Sequence, residues 1–83
     1  MSNYKPIKSM EIKDFIVKFA ENIEVMNVEA LTPETQFRDL DEWSSLSVML
    51  TIAFFEKEFD KQISDSDIKK AITIQDLYNI ATA

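Results

Sequence analysis

Phe37-Arg-Asp-Leu-Asp-Glu-Trp-Ser-Ser-Leu46 runs directly into Ser47-Val-Met-Leu-Thr-Ile-Ala-Phe-Phe-Glu-Lys-Glu-Phe59, and the rest of the chain can be read outward from here. An acidic loop delivers two serines to the first turn of a helix that is apolar round most of its circumference. At about 100° per residue, Val48, Ile52, Phe55 and Phe59 fall on one stripe with core spacing. Leu46, Met49, Leu50 and Ala53 form a second apolar stripe. Ser47, Thr51 and Glu58 mark what reads as the wet side, with Phe54 at its edge. A helix apolar nearly all round belongs in a large protein or a membrane, and this chain offers neither. One stripe is therefore expected in the core, and the other is expected to be covered only by a transient partner.

With 83 residues, the chain has room for one small core, burying about 60% of the unfolded surface. A net charge of −6 argues against nucleic acid as a partner and for basic protein surfaces. There is no Cys and no His, which removes disulfides, thiol nucleophiles, the usual zinc sites and every Ser–His arrangement. A self-sufficient enzyme is not expected, nor is a metal site. No signal-like or membrane-spanning apolar run occurs, so the expectation is a cytoplasmic monomer with no membrane association. Gly is absent, which leaves left-handed backbone positions to Asn, Asp or Lys.

Residues 1–8 read as a flexible lead-in and 9–83 as a single domain. Ser9 is the expected N-cap of a first helix over about 10–23, with Glu11 in its first turn. There Ile12, Phe15, Ile16, Phe19 and Ile23 share one face. A long connection follows, broken from helix by Pro33. It carries Val28, Leu31, Phe37 and Leu40, too apolar for a floppy linker. Phe37 and Leu40 are expected to plug the core, while Trp43 covers the loop or stands at a binding surface. The second helix reads as about 45–60. Ser64-Asp-Ser-Asp67 opens a short helix near 66–71, and Thr73 with Asp76 caps a last one over about 74–82. Ile63, Ile72 and Ile74 are core by default. The expected fold is all-α: a small four-helix bundle of three longer helices and one short one, with a long first loop and no β pattern.

These residues together resemble the acyl carrier protein family. The likeness covers about residues 10–82 and rests on Leu31-Thr-Pro-Glu-Thr-Gln-Phe-Arg-Asp-Leu40, Ser45-Leu46 heading the second helix, Glu56-Lys-Glu-Phe-Asp60 at its end, then Ile63, the capped short helix and Ile72-Thr-Ile-Gln75. The resemblance implies that a phosphopantetheinyl transferase esterifies Ser45 with 4'-phosphopantetheine from coenzyme A. The arm's thiol would then carry acyl groups as thioesters for fatty-acid, polyketide or related biosynthesis, or aminoacyl groups in a peptidyl carrier. A helix N-terminus suits the phosphodiester anion. Leu46, Met49, Leu50 and Ala53, with Glu56, Asp41 and Glu42, become the expected docking face for acyl-transferring and condensing enzymes with basic surfaces. The chain departs from the family pattern in having Ser44 where the motif carries Asp, and no Gly in the preceding turn. Ser44 is expected to cap the helix as well as Asp would, and the unusual loop points toward a specialised pathway.

Plainer readings stand beside these. Ser45 could be an ordinary first-turn serine, Ser44 could be the modified residue, and the second stripe could pack under the loop. Asp39, Asp41 and Glu42 read first as a solvated charge run. Phe54 closes either the core edge or an acyl cavity. An unmodified helical adaptor using the same face is the alternative function.

Overall fold

The computed structural model describes residues 10–83; the expected lead-in over 1–8 and the Ser9 cap lie outside them. Four α-helices make up the fold: α1 (Ile12–Asn22), α2 (Ser45–Phe59), α3 (Asp65–Lys70) and α4 (Ile74–Ala81). Two short 3-10 turns, Val28–Ala30 and Phe37–Asp39, interrupt the long connection. Helix α1 begins at Ile12, the first residue of its apolar stripe, and later than the start at about residue 10 expected from the sequence. Glu11, expected inside the first turn, occupies the cap position, and its side chain makes no capping bond. The all-helical bundle expected from the sequence is present, with no strand among the described residues. Gln36 and Thr73 do form an isolated antiparallel bridge.

The core is aromatic and centred on Phe15, which is fully buried. Its ring lies 5.7 Å from that of Phe54, 6.2 Å from Phe55, 5.8 Å from Phe59 and 5.4 Å from Tyr78. These centroid separations are those of tilted and edge-on aromatic pairs, each worth about 0.5–1.5 kcal/mol beyond simple burial. Tyr78 also donates its hydroxyl to the Met10 carbonyl at 2.6 Å, which ties α4 to the residues preceding α1. Ile63, Ile68, Ile74 and Leu77 complete the interior.

The orientation of α2 differs from the sequence reading. Ser47 and Thr51, expected on the wet side, are buried, whereas Val48 and Ile52 are only half-buried. Phe54, expected at the edge of the wet side, is core at 5% exposure. On a helical wheel the buried face is turned by roughly 65° from the one that Val48 and Ile52 suggest. The cause is Phe54: three phenyl rings seek Phe15, and the face that satisfies all three runs through Ser47 and Thr51. The hydroxyls tolerate this because the backbone supplies their partners. The Thr51 hydroxyl donates to the Ser47 carbonyl at 2.8 Å, so burial leaves no polar atom orphaned.

The long connection is tied down at several points. Phe37 is fully buried as expected, and Leu40 is half-buried against the core. The Arg38 guanidinium donates to the Ile68 carbonyl at 3.0 Å. The backbone N–H groups of Ile74 and Gln75 donate to the carbonyls of Thr35 and Pro33 at 3.0 and 2.9 Å. Val25, not foreseen as core, is buried as well. Ile72, expected inside, is 53% exposed: it precedes the Thr73 cap in extended chain, which points its neighbour Ala71 inward and Ile72 outward. Left-handed backbone occurs at Glu24 (φ 62) and Asp60 (φ 51). Asp is one of the residues expected there, but Glu24 is not.

Helices α3 and α4 start with capping boxes, Ser64 with Asp67 and Thr73 with Asp76. The Asp76 carboxylate accepts the N–H groups of Thr73 at 3.0 Å and Ile72 at 2.9 Å. Those bonds to the charged form hold its pKa below the usual 3.8. Asp67 is lowered likewise, chiefly by the backbone N–H and the side chain of Ser64.

Two outcomes follow. Thr51→Glu buries an unpartnered charge and lowers unfolding stability in urea by about 3 kcal/mol or more, whereas Met49→Glu changes it by no more than about 0.5 kcal/mol. Because the folded-state pKa of Asp76 is depressed, its contribution is present above its unfolded value and is lost as pH falls through the folded one. Asp76→Asn therefore lowers the melting temperature at neutral pH and makes the decline between about pH 5 and pH 3 shallower than in wild type.

Candidate functional site

The site forms where the long connection enters α2. Trp43 donates its backbone N–H to the Leu40 carbonyl at 3.0 Å and sets its indole against Phe37 (centroids 4.9 Å apart) and Phe19 (6.4 Å). Of the two roles open to it, Trp43 thus takes that of closing the loop over the core. Ser44 follows in extended geometry at the N-cap, and Ser45 is the first helical residue.

The cap is built differently from the expectation. Ser44 and Ser47 form a capping box whose Ser44 arm is the looser one: its side chain faces the Ser47 N–H without a full hydrogen bond, and its hydroxyl stands 3.5 Å from the Ser47 hydroxyl. Ser47 carries the tight arm of the box. Its hydroxyl accepts the Ser44 N–H at 2.9 Å and donates to the Glu42 carbonyl at 3.3 Å, while its own N–H donates to the Ser44 carbonyl at 2.9 Å. Ser47 was missed as a site residue because a serine among apolar residues reads as solvent-facing. Its place three residues after the N-cap is the signal that could have found it.

Ser45 is exposed, and its hydroxyl has no hydrogen-bond partner among the described residues. The N–H groups of Ser45 and Leu46 likewise take no acceptor there, as expected of a first turn. No acidic side chain lies in this turn. The result is an accessible hydroxyl beside free N–H donors at the positive end of a 15-residue helix. That arrangement fits a phosphodiester: nothing blocks the oxygen, and no carboxylate in the turn repels the anion.

Around this point the structure brings together most of the expected docking residues. Leu46 (60% exposed), Met49 (67%), Ala53 and Glu56 all face outward from α2. Leu50 does not join them. It is half-buried against the core, and its carbonyl accepts the Asn22 side-chain amide at 2.9 Å. Asp41 is exposed, and neither it nor Glu56 is in an ion pair among the described residues. Glu42 is half-buried, with its carboxylate accepting the Met26 N–H at 3.3 Å. Asp39 is exposed as well.

A cleft of about 270 Å³ runs between Lys18–Asn22 and Ala53–Glu58. Ile63 and Ile74 sit in the packed core as expected, and Phe54 closes its edge.

A family model described as a phosphopantetheine attachment site matches residues 14–80. No solved structure matches the chain.

The capping geometry sets an order of sensitivities. Ser44→Ala removes the looser arm of the capping box and costs about 0.5 kcal/mol, the low end for N-cap serines. Ser47→Ala leaves the Ser44 N–H without its acceptor and costs about 1–2 kcal/mol. Urea unfolding of the two variants against wild type checks the order.

Proposed function

The chain belongs to the phosphopantetheine attachment-site family, whose members carry covalently attached 4'-phosphopantetheine, and from that premise we propose that it is an acyl carrier modified at Ser45. The supporting observation is the exposed, unpartnered Ser45 hydroxyl on the first residue of α2. When bound, the prosthetic group supplies a terminal thiol that holds an acyl group as a thioester, a function this Cys-free chain has no side chain to perform.

The chain's own residues supply the rest. Ser45 provides the ester oxygen, and the free N–H groups of Ser45 and Leu46 favour an anion beside it. A serine hydroxyl is a weak nucleophile at its own pKa and needs an adjacent base. No carboxylate occupies the first turn and the sequence has no His, so the phosphopantetheinyl transferase provides that base. Leu46, Met49 and Ala53 offer apolar contact area, with Asp41 and Glu56 as unpaired acids around it. This arrangement suits basic partner surfaces: charge steers encounter, and the apolar stripe supplies affinity. The partners in this reading are the transferase and acyl-transferring or condensing enzymes, and the carrier itself performs no catalysis.

Intact-mass measurement after incubation with coenzyme A and a permissive transferase tests the assignment. Wild type and Ser44→Ala are expected to gain one phosphopantetheine, and Ser45→Ala none. A gain lost only in Ser44→Ala moves the site by one residue. No gain in wild type with several transferases favours the unmodified adaptor.

A further inference from the structure

Ser45 is held in place by a residue that never touches its hydroxyl. The Ser47 side chain is 3% exposed, and both its donor and its acceptor capacity are directed at the backbone that leads into Ser45. It takes the Ser44 N–H at 2.9 Å and gives its proton to the Glu42 carbonyl at 3.3 Å. The Ser47 N–H closes onto the Ser44 carbonyl at 2.9 Å. Ser45 therefore lies inside a small ring of hydrogen bonds whose other members are Ser44 and Ser47.

Without that ring the first turn has little to hold it. A first helical residue has no intrahelical acceptor for its own N–H, and such positions fray. The Ser44 side chain supplies only the looser arm of the capping box, so most of this task falls to Ser47. Thr51 lies one turn further on and bonds to the Ser47 carbonyl at 2.8 Å, which continues the same buried polar line. Burial shields the Ser47 hydroxyl from water, so its orientation is set by the Ser44 N–H and the Glu42 carbonyl, with the Ser44 hydroxyl a longer contact at 3.5 Å.

We infer that Ser47 is a positioning residue for the modification reaction, orienting the Ser45 hydroxyl through the backbone at the mouth of α2. The inference rests on the reading that Ser45 is the attachment site. It separates two properties of the carrier as a substrate. Docking depends on the exposed side chains of α2, whereas Ser47 is buried, so KM for the carrier is insensitive to it. Turnover depends on the angle at which one oxygen is presented, and small misplacements of a reacting group lower rates steeply.

The test is steady-state phosphopantetheinylation with coenzyme A saturating and the carrier varied, at a temperature where circular dichroism shows every variant folded. In Ser47→Ala, kcat is expected to fall about tenfold with KM within about twofold of wild type. Ser47→Thr, which keeps the hydroxyl, is expected to restore kcat to within about threefold of wild type. If Ser47→Ala does not fold, Ser47→Cys, nearly the same size but a weak donor and acceptor, is expected to show the same loss of kcat. Wild-type kcat in the variant lacking the hydroxyl, or a change confined to KM, overturns the inference and leaves Ser45 as the site. Absence of modification in wild type overturns both.

Discussion

The packing of three α2 phenyl rings on Phe15 is the constraint from which the other arrangements follow. Phe54, Phe55 and Phe59 each approach that ring to within 6.2 Å. Such a contact needs one rotation of α2 and excludes the others. Once that rotation is set, Ser47 and Thr51 are carried inward and Leu46, Met49 and Ala53 are carried outward. Exposure of apolar side chains beside Ser45 is thus a by-product of aromatic packing on the opposite side. An outward apolar stripe costs a small protein solubility. Its position next to an accessible hydroxyl is what the proposed docking role calls for.

Inward-facing hydroxyls are tolerated because helical backbone is itself a source of partners. Thr51 bonds to the carbonyl one turn back, and Ser47 bonds across the helix start. The same economy recurs where Asp67 and Asp76 accept backbone N–H groups at the heads of α3 and α4. Short helices of six and eight residues are marginal alone, so caps and core contacts together define where they begin. The long connection obeys the same logic. Buried Phe37, half-buried Leu40 and Trp43, the Arg38–Ile68 bond and the Thr35–Ile74 bond make it part of the structure that presents Ser45.

The division of chemical labour is visible in what surrounds the site. The described residues offer an exposed oxygen, a polarised helix end, two unpaired acids and an apolar stripe, with no acidic side chain in the first turn of α2. In the proposed reading such a protein acts by being recognised, and its residues serve presentation. With no carboxylate in the first turn of α2, the proposed recognition by charge would rest on Asp41 behind the site and Glu56 further along the helix.

Much was legible in the residues alone. The single apolar face of α1, the break at Pro33, the caps at Ser64 and Thr73 and the burial of Phe37 all follow from local periodicity and turn chemistry, which depend on near neighbours in the sequence. So did the placement of Ser44 and Ser45 at the head of α2 and the outward position of Met49. The rotation of α2 was not legible, because a helix apolar on several sides has no preferred phase until a partner surface exists. The polarity of Ser47 and Thr51 then pointed the wrong way, since a hydroxyl satisfied by its own backbone behaves as a core group. Leu50 and Ile72 were misjudged for a related reason. Their environments depend on the Asn22 amide and on the chain direction at Ala71, which are set in three dimensions. Sequence by itself determined which segments are helical and which oxygen stands at the start of α2. Tertiary packing decided which face of that helix is displayed beside it, because only the assembled aromatic core distinguishes one apolar stripe from the other.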